Sequence, residues 1–166
     1  MERKCIFQFT TKSSWCGGGG TSWLLFDNGD IVKQDVEAVG YCHIGGDKTV
    51  ETNLANVPKL VKAVRAIIRR NYVKLIIIPK SLNNGSCDGS IETFKFSRKE
   101  IIAFNITYNN LDYVKWRNPS YYKAFKKNMI YENMVLDIYN EIACEINKHI
   151  ADDELPIYEC ETSDPC

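Results

Sequence analysis

Asn28-Gly29 stands between two apolar runs, TSWLLFD and DIVKQDV, and this placement constrains the fold more than any other stretch. Both residues accept the positive φ that a tight turn between twisted strands requires, so the pair predicts a β-hairpin. The expected register sets Phe26 opposite Ile31 and Leu25 opposite Val32. Upstream, KCIFQFTT (4–11) alternates, with Cys5, Phe7 and Phe9 on one side, as a half-buried strand does. Three strands are therefore expected before a loop-like stretch, 37–57, that carries Gly40, Gly45 and Gly46.

Pro58 then opens PKLVKAVRAIIRRN, and proline suits the first turn of a helix because its missing N–H has no partner there. Leu60, Val61, Val64, Ile67 and Ile68 make one apolar stripe, with Lys59, Lys62, Arg65 and Arg69 on the other side. VKLIIIPK (73–80) is a continuous apolar run ended by Pro79, which predicts a central buried strand. SLNNGSCDGS is expected to be a loop. IETFKF and EIIAFNITY form a second strand pair, with Ile102, Phe104, Ile106 and Tyr108 on one face. Asn118 and Pro119 supply a cap and first position for a helix over RNPSYYKAFKK. A second, longer helix is expected from Tyr131 to Ile150, with Met134, Ile138, Ile142 and Ile146 at helical spacing.

The layout predicts an α+β fold. Its sheet is largely antiparallel, with about six strands in a βββα-βββα order, and the helices pack on one face. At 166 residues, 45% hydrophobic and 25% charged, the chain suits one domain over 1–150. The acidic, proline-containing tail 151–166 is expected to be irregular. No run approaches the ~18 apolar residues of a membrane helix. The start MERKCIFQFTTK lacks an export signal's apolar core, so a cytoplasmic protein with free thiols is expected from its seven cysteines.

The net charge of zero hides a polarity. Residues 59–127 hold 15 basic and 4 acidic side chains, whereas 128–166 hold 1 basic and 10 acidic. Two partner surfaces follow from this. The acidic one comprises Glu132, Asp137, Glu141, Glu145, Asp152, Asp153 and Glu154, and it suits a basic protein such as a nucleic-acid-processing enzyme. The basic one comprises Lys59, Lys62, Arg65, Arg69, Arg117, Lys123, Lys126 and Lys127, with Arg98, Lys99 and Lys115 nearby, and it suits nucleic acid. Trp116 could stack on bases there. The competing expectation is that the acidic part simply packs beside the basic middle and neutralises it.

SSWCGGGGTSW (13–23) invites three chemical readings. A phosphate cradle needs a lysine before Thr21-Ser22 and a helix after it, and this stretch has neither. A nucleophilic cysteine needs a base, and only His43 and His149 exist; Cys16 or Cys87 with His43, oriented by Asp88, is the arrangement open to it. Zinc spacing is absent, since Cys42-His43 are adjacent and Cys160 and Cys166 have five residues between them, so neither metal nor other cofactor is expected. The remaining reading is an adaptable loop presenting Trp15, Cys16, Gly17 and Gly18 to a partner. Trp23 is expected in the core.

Together these features point to a small non-enzymatic protein acting by macromolecular binding. A phage- or mobile-element-encoded inhibitor of a bacterial defence nuclease, anti-CRISPR-like, is one concrete form. The alternatives are a nucleic-acid-binding protein using 59–127 and a cysteine-dependent hydrolase or transferase.

Overall fold

The computed structural model describes residues 3–13, 19–38, 47–79, 81–82, 90–98, 100–107, 119–151 and 153–158. The expected antiparallel sheet is present. Strands β1 (Cys5–Ser13), β2 (Gly20–Phe26), β3 (Asp30–Ala38) and β4 (Asp47–Asn56) form a meander. Strands β6 (Ser90–Ser97) and β7 (Ile101–Thr107) add on the other side of β1, and a two-residue β5 (Ser81–Leu82) runs parallel to β7 at the edge. The order across the sheet is β4-β3-β2-β1-β6-β7-β5. All pairings except β5–β7 are antiparallel.

One sheet face carries Phe7, Phe9, Trp23, Leu25, Phe94, Phe96, Phe104 and Ile106 into a single core. Helix α1 (Pro58–Arg70) covers it with the predicted stripe, Leu60, Val61, Val64, Ile67 and Ile68, all buried. Helix α3 (Pro119–Asn147) adds Val135, Ile138, Tyr139, Ile142 and Ile146. Tyr139 stacks among Phe7, Phe9 and Phe94 at centroid distances of 4.8–6.1 Å. Trp23 lies 5.6 Å from Phe9, in the core as expected. The fold class is therefore α+β with the helices on one face.

Five local expectations are corrected. The hairpin pairs Leu25 with Ile31 and Leu24 with Val32, because the loop is longer than a two-residue turn. Gly29 sits at φ +94° and donates its N–H to the Phe26 carbonyl at 3.0 Å. Cys5 does not share a face with Phe7. A bulge between them inserts Ile6, which reverses the alternation and sends Cys5 to a smaller cluster with Leu24, Phe26 and Val32. The described parts of 37–57 are mostly strand: β3 runs to Ala38 and β4 occupies 47–56 as a polar strand whose other side has no strand partner among the described residues.

VKLIIIPK is not a strand. Residues Tyr72–Ile77 form helix α2. The Leu75 N–H donates to the Asn71 carbonyl, and both the backbone and side-chain amides of Asn71 donate to the Ile67 carbonyl, so helical bonding carries on from α1. Finally, the two helices expected over 118–150 are one, Pro119–Asn147. The element order is β1–β4, α1, α2, β5–β7, α3 rather than βββα twice. Tyr108 and Asn118 lie outside the described residues.

Residues 153–158 form no helix or strand, and they are docked. Leu155 is 1% exposed. Asn147 brackets it, donating to the Leu155 carbonyl at 2.8 Å and accepting its N–H at 2.9 Å. Asn140 does the same for Tyr158, and Tyr139 donates to the Pro156 carbonyl at 2.8 Å. Tyr158 in turn donates to the buried carboxylate of Glu92. Burial, with the Glu92 charge nearby, pushes both phenols above their usual range.

Candidate interaction surfaces

The first surface follows from how α1 lies on the sheet. Its apolar stripe faces the sheet, which leaves Lys59, Lys62, Arg65 and Arg69 exposed on the far side. The β1–β6 register pairs Phe7 with Phe96, and so brings Ser97 and Arg98 alongside Lys4 and Ile6. Arg65 and Arg69 meet this strand end. Together with Ile68 these residues line an open cavity of about 260 Å³. Of the seven described residues that line it, four are cations and none is acidic. Among the described residues, Lys4, Arg65, Arg69 and Arg98 form no ion pair. The Arg98 guanidinium lies 4.3 Å from the Tyr72 ring centroid, which fixes its position.

The second surface is apolar. Helix α2 buries Leu75 but turns Val73, Ile76 and Ile77 outward, at 68%, 51% and 60% exposure. Ile101, at the start of β7, is 67% exposed. Ile76 and Ile101 line one shallow depression with Leu75, Ile78, Glu100 and Ile102. These four are most of the large apolar side chains that the described residues leave exposed.

The third surface is the acidic one, and much of it is occupied. Glu141 pairs with Arg70 of α1, Glu145 accepts Lys148 at 2.6 Å, and Asp153 accepts Lys33 at 2.6 Å. The hydrogen bond to Asp153 holds the Lys33 ammonium above its usual range. Glu132 is half-buried, and it and Asp137 both have interactions; Glu154 is exposed. Asp137, Glu141 and Glu145 recur every four residues along one face of α3, with Glu132 on its other side and Asp153 and Glu154 in the tail, so most of this surface is already engaged.

Trp15, Cys16, Gly17, Gly18, His43, Cys87, Asp88, Trp116, Arg117, Asp152, Cys160 and Cys166 lie outside the described residues, as do the side chains of Lys123, Lys126 and Lys127. Among the described residues, no three His, Cys, Asp or Glu side chains cluster as metal ligands. No described helix is long and apolar enough to cross a membrane. Cys5 and Cys144 are free thiols. Burial pushes the Cys5 thiol up to about 11, so it stays protonated at neutral pH.

Sequence reasoning found the α1 cations but not Lys4, and it hid Val73, Ile76 and Ile77 inside a strand. The available signal was the direct continuation of α1 into 72–77 without an intervening glycine. No family model matches this chain, and no curated protein matches it.

Proposed function

We propose that this chain acts without catalysis, by binding a protein partner through α2 and Ile101. The observation that carries the reading is the outward set Val73, Ile76, Ile77 and Ile101. Clustered exposed apolar side chains mark interaction sites, since each gains about 1.5–3 kcal/mol when buried. That gain helps offset the roughly 4–15 kcal/mol lost when two proteins associate. Lys74 is exposed beside the patch, so the fitting partner has an apolar centre with a carboxylate at its rim.

An inhibitor of a bacterial defence nuclease, working in the cytoplasm, is the narrower form of this proposal. The acidic surface supports it less well than α2 does. Glu141, Glu145 and Asp153 would have to give up Arg70, Lys148 and Lys33 before serving a basic partner. Affinity capture from the native host tests both. The expected result is a partner retained by the wild type and by Glu141→Lys, and lost by Ile77→Asp. Equal retention by all three proteins overturns the α2 contact.

A further inference from the structure

We propose that the cavity formed by Lys4, Arg65, Arg69 and Arg98 seats a backbone phosphate of a nucleic-acid strand, and that this strand runs along the exposed face of α1. The site is separate from the protein contact on α2.

Four cations from three parts of the chain converge on one cavity, and among the described residues no carboxylate lines it. Among the described residues no acidic side chain forms an ion pair with any of the four, and Asp27 Oδ1 accepts only the Lys4 backbone N–H at 3.1 Å, so an arriving anion meets positive charge that is not already paired. Three of the four are arginines, whose planar forks match phosphate oxygens in pairs. Arg98 is held over Tyr72, so less of its freedom is lost on binding. Ser97 adds a hydroxyl to the lining. Glu100, two residues after Arg98, accepts the Tyr72 hydroxyl at 3.5 Å and does not line the cavity.

Size and continuity decide between a small phosphate compound and a polymer. At about 260 Å³ the cavity lies below the usual range for whole small-molecule ligands, and it suits a phosphate group better than a nucleotide. The positive charge also continues beyond it. Lys59, Lys62, Arg65 and Arg69 fall within an arc of about 120° and span roughly 15 Å along the helix. A single phosphate has no use for Lys59 and Lys62, whereas a strand of several nucleotides does.

The test is fluorescence anisotropy with a labelled 12-nucleotide single strand at about 50 mM and 200 mM salt. The proposal expects binding that weakens steeply with salt. Arg65→Ala/Arg69→Ala should weaken it at least tenfold and lower the salt slope by roughly 2, while Arg65→Lys, which keeps the charge and loses the fork, should weaken it less and leave the slope unchanged. Ile77→Asp should leave it unchanged. Circular dichroism and thermal melting confirm that each variant folds. No binding at the lower salt, or binding indifferent to the double substitution, overturns the proposal. Inorganic phosphate competing at the oligonucleotide's own concentration would overturn the polymer. Capture by anionic vesicles in place of the oligonucleotide would overturn nucleic acid as the ligand.

Discussion

Lys33 of β3 reaches Asp153 beyond α3, Nζ to Oδ1 at 2.6 Å, across 120 positions of chain. On the same residue, the Asp153 carbonyl accepts the Trp23 indole N–H at 2.9 Å. The segment after α3 is thus clamped to the middle of the sheet, and Leu155 fills the core beneath it. Leu155→Ala should cost about 2–4 kcal/mol, by loss of burial and the cavity left behind. Asn147→Ala, which strips both backbone bonds from Leu155, should lower stability in the same direction. Urea unfolding of the two variants checks this; a tail that merely trails would leave both midpoints at the wild-type value.

Gly29 is irreplaceable for two reasons. Its φ of +94° is strained for any side chain, and a Cβ there would meet Pro58 N at 2.5 Å. Its carbonyl also accepts the Val57 N–H at 2.8 Å, which ties the hairpin to the start of α1. Gly29→Ala should destabilise by more than about 1 kcal/mol. A thermal melt within a degree of wild type would contradict this.

Cys5 gives a dependence on alkaline pH. Its thiol ordinarily titrates at 9.0 and is raised to about 11 here, chiefly by burial. The unfolded chain therefore loses this proton first. The thiol's contribution is intact below pH 9 and is lost as pH climbs toward 11, by at most on the order of 2–3 kcal/mol. Between pH 8 and 10.5, Cys5→Ala should lose less stability than the wild type. At pH 8 a thiol reagent should label exposed Cys144 faster than Cys5 in the native protein.

Arg70 and Glu141 join α1 to α3 at the surface, with 59% and 43% of their side-chain areas exposed. Solvent screens such a pair, so a double-substitution cycle should return only a small coupling, which disappears near 1 M salt. A large coupling that persists in salt would mean the pair holds the helices together.

The parts legible in the sequence are those where one period dominates. Helix α1 was readable from its first residue to within one of its last, because Pro58 marks its start and its apolar stripe repeats at helical spacing. β6 and β7 were readable because Phe94 and Phe96, and Ile102, Phe104 and Ile106, alternate. β4 was not, because DKTVETNLAN is a largely exposed edge whose register comes from pairing with β3 and not from its own apolar pattern. VKLIII failed for the opposite reason: an unbroken apolar run satisfies helix and strand alike, and the hydrogen bonds through Asn71 decide it. The same logic divides the cationic cavity. Arg65 and Arg69 follow from helical period, whereas Lys4 and Arg98 join them only through the register between β1 and β6.

That register also governs how the chain leaves the ribosome. β1 finds β2 almost at once, but its other side waits for Ser90–Ser97, which are made only after β4, α1 and α2. At roughly 5–20 residues per second the wait lasts several seconds or more. Throughout that interval the middle strand of the finished sheet is an open edge, with Phe7 and Phe9 lacking their partners Phe96 and Phe94. A nascent chain stalled before Ser90 should therefore draw chaperones or pair with its neighbours, even though the completed protein keeps this strand wholly inside.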